Sequence, residues 1–143
     1  MKDWNVSTIL LGYDGSEGAD QAAELASAVA RRNNALIMVV TAFQVGGRDW
    51  PPDAVKDSAG SESIAAQDTA REIVLKLRDA GVRAEPHVLE EKASEALLHM
   101  ADSRDADLIV VGSRGRGRTA ELLLGSTSEE VVRQAKVPVL VAH

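Results

Sequence analysis

Short apolar runs alternate with segments of helical period along the whole chain, and that alternation leaves few folds open. Thr8 to Tyr13 and Ala35 to Phe43 are apolar and rich in strand formers. Between them, Glu17 to Arg32 carries Ala19, Ala22, Ala23, Ala26, Val29 and Ala30 at helical spacing, and Asn33-Asn34 suits the end of a helix. The alternation continues with a helix near Ser63 to Ala80, closed by Gly81, and a strand near Val82 to Leu89. A helix near Ser94 to Ser103, a strand over Asp107 to Val111, a helix near Ser126 to Ala135 and a last strand over Val137 to Ala142 complete it.

Strands separated by helices favour an α/β fold, a doubly wound five-stranded parallel sheet with helices on both faces. Prolines set the strand order. Pro86 and Pro138 lack a ladder N–H and belong on edge strands, whereas the first, second and fourth strands contain no proline. Strands three and five are then the edges, the order is 3-2-1-4-5, and the switch point falls between strands one and four. Ligands of open α/β sheets bind there, beyond the strands' carboxyl ends, where Asp14 and Gly112 stand. Gln44 to Gly60, with Gly46, Gly47, Pro51 and Pro52, reads as a surface loop carrying Trp50.

With 143 residues the chain suits a single domain over 1–143. Sixteen basic against 22 acidic residues give a net charge of −6, which argues against nucleic acid or an anionic membrane as the main partner. Cysteine is absent, which excludes disulfides and thiolate metal sites. The first thirty residues lack the pattern of a signal peptide, and no apolar run approaches the roughly 20 residues of a membrane span. A cytoplasmic protein is the expectation.

The stretch from Val110 to Glu130 interleaves Gly112, Gly115, Gly117 and Gly125 with Arg114, Arg116 and Arg118 and with several hydroxyl residues. Glycines admit backbone amides close to anionic oxygens, and a helix start adds outward N–H groups and the positive end of a dipole. The pattern suits a phosphate cradle. Ser126 with Glu129 also forms an S-x-x-E capping box, which would cap the helix without a ligand. Likewise, Asp14 suits a ribose hydroxyl or a cation, or simply turns the chain with Gly15 and caps the first helix. One of the three arginines is expected to reach a ligand, and the sequence does not choose which. No Walker loop or dinucleotide fingerprint is present. His87, His99 and His143 are scattered, and nothing marks a catalytic base.

The pattern G-x2-G-x9-G-S/T at Gly112, Gly115, Gly125 and Ser126 is followed by Pro138-Val139-Leu140-Val141 and preceded by Ile9-Leu10-Leu11-Gly12-Tyr13-Asp14-Gly15-Ser16. Over essentially the whole chain this resembles the universal stress protein family, in its ATP-binding form. The resemblance implies that Asp14 lies by the ribose or, through Mg²⁺, by the phosphates. It implies that Val40, at the end of strand two, meets adenine through its backbone, and that Gly112, Gly115, Gly125, Ser126 and Ser128 hold the phosphates. Glu91 departs from the family's pattern, where glycine is common after strand three. The expected function is a stress-response or signalling module that binds ATP, with Mg²⁺ favoured, and hydrolyses it slowly at most. It is expected to form a homodimer through the C-terminal strand. The alternatives are a slow ATPase or a phosphoryl or nucleotidyl transferase, and an interaction protein that holds no nucleotide. Preference among ATP, AMP and cyclic nucleotides, the inducing stress and any protein partner are not legible.

Overall fold

Each strand takes its neighbours from the alternation of its side chains, because every central strand must bury both faces. In the computed structural model, which describes residues 3–45, 52–114 and 124–143, the elements in chain order are β1 (Thr8–Gly12), α1 (Glu17–Asn33), β2 (Leu36–Phe43), α2 (Pro52–Asp79), β3 (Arg83–Glu90), α3 (Ala93–Ser103), β4 (Leu108–Gly112), α4 (Ser126–Gln134) and β5 (Val139–Ala142). The strands form one parallel sheet in the order β3-β2-β1-β4-β5, as the prolines predict. Pro86 lies on the edge strand β3. Pro138 stands just outside β5, which opens at Val139 rather than at Val137. Proline has no N–H to give the ladder, but its carbonyl accepts from Ile109 N at 3.0 Å.

The two faces of the sheet carry separate cores. Ile9, Leu11, Ile37, Val39, Leu108 and Val110 point toward α1 and α2. The alternate residues Leu10, Met38, Val40, Ile109 and Val111 point toward α3 and α4 and meet Leu97, Met100 and Val131. In α1 the buried face is almost wholly alanine, with Ala22, Ala23, Ala26 and Ala30 in contact with the sheet face. Small side chains let this helix lie close against the central strands, and Asn34 closes it in the left-handed region at φ 53°.

One sequence expectation fails. Gln44 to Gly60 reads as a loop, yet from Pro52 onward the chain is the first part of α2, which runs to Asp79. Pro52 occupies the first helical position, where the missing N–H has no partner to lose and the fixed φ suits the helix. Gly60 falls at an exposed position inside the helix, where a Cβ would meet nothing within 4 Å. It weakens the helix without a packing reason to end it. Trp50 lies outside the described residues.

Candidate functional site

The chain leaves β1 toward one face of the sheet and β4 toward the other, so a crevice opens between their carboxyl ends. The two turns that border it are built differently. After β1, Asp14 Oδ1 accepts from Ser16 N at 2.9 Å, Gly15 takes φ 81°, and Ser16 Oγ accepts from Ala19 N at 3.2 Å. Ser16, not Asp14, is therefore the N-cap of α1. Asp14 makes the turn that delivers the cap, because its short carboxylate reaches the amide two residues on.

After β4 the chain makes a longer excursion and returns at Gly125, the N-cap of α4, which has no side-chain cap hydrogen bond. The capping box expected of Ser126 and Glu129 does not form. Ser126 is already helical, and Glu129 Oε1 instead accepts from Arg133 Nη2 at 2.8 Å, one turn further on. The ends of the excursion are tied by a knot on one carbonyl. Ser113 O accepts from Gly125 N at 2.5 Å and lies 3.0 Å from Ser128 Oγ, while Ser113 N donates to Ala142 O at 2.8 Å. Ser128 is buried and its hydroxyl is also 3.1 Å from Gly125 O. Its one hydrogen is thus engaged within the protein, which leaves its backbone N–H for a ligand. The first amide to enter the ladder of α4 is that of Glu129, to Gly125 O. Amides of a helix's first turn point out of its start, which here faces the crevice.

Gly112 has a second reason to lack a side chain. A Cβ there would lie 2.6 Å from Gly18 O, and a Cβ on Gly18 would lie 2.3 Å from Arg114 O. The first turn of α1 and the end of β4 touch backbone to backbone. Gly18 escapes a reading based on the ligand motif, but a glycine at the second position of an otherwise alanine-rich helix was the available signal, since it forfeits helix propensity.

The crevice is a cleft of about 240 Å³, just below the roughly 300–1,000 Å³ usual for small-molecule sites. It brings together Asp14, Val40, Gly112, Gly125, Ser126 and Ser128. Gly115 lies outside the described residues, as do Gly117, Arg116 and Arg118. Arg114, the one of the three arginines among the described residues, lines the cleft. Val40 is not at the end of β2, which runs three residues further to Phe43. It pairs with Gly12 at the level where β1 stops. Its carbonyl accepts from Tyr13 N at 3.0 Å, so a base could use its second lone pair. The sequence did not single out Ala93 and Leu97, by which the start of α3 forms a wall of the cleft. Glu91, with no positive φ, adopts an ordinary backbone and pairs with His99 Nδ1 at 3.1 Å. Nothing in its conformation demands the glycine of the family pattern.

A parallel α/β sheet with a polar cleft at its switch point, walled by helix starts, defines a small doubly wound α/β domain. The profile of the Universal stress protein family matches residues 5–143, and the chain belongs to that family. It is 37% identical over 137 residues to a universal stress protein of Thermus aquaticus, covering 95% of this chain and 98% of the relative. Other relatives are longer. The chain spans 44% of a universal stress protein of Mycobacterium tuberculosis to which it is 33% identical. Among solved structures, universal stress protein UspA from Lactobacillus plantarum superposes with a TM-score of 0.89 over 99% of this chain and all of that one, at 21% identity. A universal stress protein in complex with cAMP superposes at 0.73 with 31% identity, covering 96% and 97% of the two chains. No helix among the described residues is long and apolar enough to cross a membrane.

Proposed function

We propose that the cleft binds ATP and that this domain is a stress-response module which works by holding nucleotide rather than by turning it over. The observation that carries the reading is the start of α4. No side chain of a capping box closes it, the Ser113 and Ser128 knot holds it in place, and Arg114 stands beside it with Asp14 in the same cleft. Outward amides at a helix start together with a guanidinium suit the phosphates. Asp14 suits the ribose hydroxyls or a Mg²⁺ ion, and Val40 the base. A relative with 31% identity was solved in complex with cAMP, which supports an adenine nucleotide as the ligand class. Among the described lining residues there is one carboxylate, Asp14, and no imidazole or ammonium. Binding the phosphates well in the ground state does not by itself speed their hydrolysis.

The reading includes a cytoplasmic homodimer joined through β5. Among the described residues that strand has β4 on one side only, and Val139, Leu140 and Val141 are half-buried. An uncharged edge of this kind invites an isologous partner. Calorimetric titration with ATP, AMP and cAMP, with and without Mg²⁺, followed by product analysis, tests the function. Retention without product is expected, with ATP bound most tightly. Steady turnover of about 1 s⁻¹ or faster would make the protein an enzyme. No binding of any nucleotide would leave an interaction protein.

A further inference from the structure

Of the helix starts that border the cleft, that of α3 is built against the rules for a helix N-terminus. Its N-cap is Lys92, extended at φ −65° and ψ 138°, with no side-chain cap hydrogen bond. Lysine has no acceptor with which to cap, and its charge sits at the positive end of the helix dipole, where cations are disfavoured. Two residues on, Ser94 is completely buried, although a hydroxyl in a core needs a partner. Both misfits are answered by one atom of another helix. Glu130 Oε2, on α4, lies 2.8 Å from Lys92 Nζ and accepts from Ser94 Oγ at 2.8 Å. The hydrogen bond from Lys92, and after it that from Ser94, holds the Glu130 carboxyl below the usual carboxylate range, and Glu130 in turn holds the Lys92 ammonium above its own. Both groups are therefore charged at neutral pH.

The position of this link gives it a consequence. α3 supplies Ala93 and Leu97 to the cleft, and α4 supplies Gly125 to Ser128. Glu130 follows within the next turn of α4, and neither it nor Lys92 lines the cleft. Residues chosen for α3 alone would put an acceptor at position 92 and an apolar side chain at position 94. The residues present make sense only as halves of a bond between the two helices.

We propose that Glu130, acting through Lys92 and Ser94, is a positioning residue of the cleft: it fixes the spacing between the starts of α3 and α4, and so the place where the α4 amides meet an anionic ligand. The ligand side of this rests on the nucleotide reading above. The clasp itself is a property of the protein without ligand.

Two measurements on the full chain separate them, using Glu130→Ala, Glu130→Gln, Lys92→Glu and the exchanged pair Lys92→Glu/Glu130→Lys. Glu130→Gln keeps the size of the side chain and an acceptor for Ser94, so it guards against a variant that simply fails to fold. Hydrogen exchange without ligand reads the first laddered amides of the two helices, Ala96, bonded to Lys92 O, and Glu129, bonded to Gly125 O. Both should exchange faster in Glu130→Ala and Lys92→Glu and return toward the parent in the exchanged pair. In ATP titrations, coupling of the size found between residues in contact gives a loss of about tenfold in affinity for Glu130→Ala and Lys92→Glu. Glu130→Gln should lose about threefold, and the exchanged pair should come within about twofold of the parent. Unchanged exchange at both amides in Glu130→Ala overturns the clasp, whatever the titrations show. Restored exchange without restored affinity overturns the positioning role and makes Lys92 a direct ligand group. If the parent binds no ATP, the nucleotide reading falls, and the exchange data alone uphold or overturn the clasp.

Discussion

The two turns at the switch point face one cleft and solve the helix-start problem in opposite ways. After β1, four residues suffice, and the turn is satisfied by its own side chains: Asp14 takes the amide of Ser16, and Ser16 takes the amide of Ala19. After β4, backbone bonds of Ser113 and the one side chain of Ser128 close the ends of a longer stretch of chain, and the start of α4 is left without a side-chain cap. A turn that satisfies itself holds the chain. A turn that leaves its helix start uncapped has the means to hold something else. The same residue type takes both parts, since Ser16 caps a helix with no acid three residues on, while Ser126, which begins an S-x-x-acid run, does not.

The largest expected effect comes from removing the contact between the two turns. Gly18→Ala should gain about 1 kcal/mol from helix propensity but place a Cβ 2.3 Å from Arg114 O. A backbone oxygen cannot rotate away as a side chain can, and overpacking of this kind costs about 3 kcal/mol or more. The clash wins, and urea denaturation should show a net loss of at least about 2 kcal/mol. A variant as stable as the parent would mean that the turns do not touch.

Smaller effects separate the serines. Ser128→Ala removes a buried hydroxyl from the knot on Ser113 O and should cost about 1–2 kcal/mol, with weaker ATP binding because the start of α4 loosens. Ser16→Ala should cost about 1 kcal/mol as the loss of a true N-cap. Ser126→Ala should change stability by less than about 0.5 kcal/mol while weakening ATP binding. Equal stability losses in the Ser16 and Ser126 variants would erase the contrast and restore the capping box.

The sheet was legible because its signals are redundant. Apolar runs and helical spacing both lead to strands alternating with helices in a parallel sheet, and the two prolines then set its order, 3-2-1-4-5. The start of α2 was not legible, because Pro52 and Gly60 have the same letters in a loop as at a helix's first position and on its exposed face. The residues that the family resemblance gathers, Gly115 aside, line one cleft, but their local roles in the fold were not legible. Gly112 reads as a phosphate glycine, yet the backbone of Gly18 alone forbids it a side chain. Ser128 is implied by the resemblance to hold phosphate, yet its hydroxyl hydrogen is used inside the protein. Nothing in the sequence marks Glu130, whose bond to Ser94 spans 36 residues and whose ion pair with Lys92 reaches still further along the chain. Such pairings follow from how two helices lie against one sheet, which no local window contains.

The smallest effect bears on the self-satisfied turn, and the chain offers a clean probe of it because Tyr13 is its only tyrosine. Tyr13 is buried, and its hydroxyl donates to Asp20 Oδ1 across the start of α1. Burial first, then the hydrogen bond to Asp20 and the negative charges of Asp20, Glu72 and Asp14, push its ionisation well above the usual range of tyrosine. The folded state thus favours the neutral phenol. Its contribution to stability is fully present below the unfolded value of about 10 and is lost as pH rises above that toward the folded value. Absorbance of the tyrosinate should therefore stay flat at the pH where free tyrosine is half ionised and rise only at higher pH, together with unfolding followed by circular dichroism. Asp20→Asn should bring the midpoint down without returning it to that of free tyrosine, because burial is the larger cause and remains. A midpoint near 10 in the folded parent would show that Tyr13 is open to solvent, and the β1 turn would then be no more closed than its counterpart after β4.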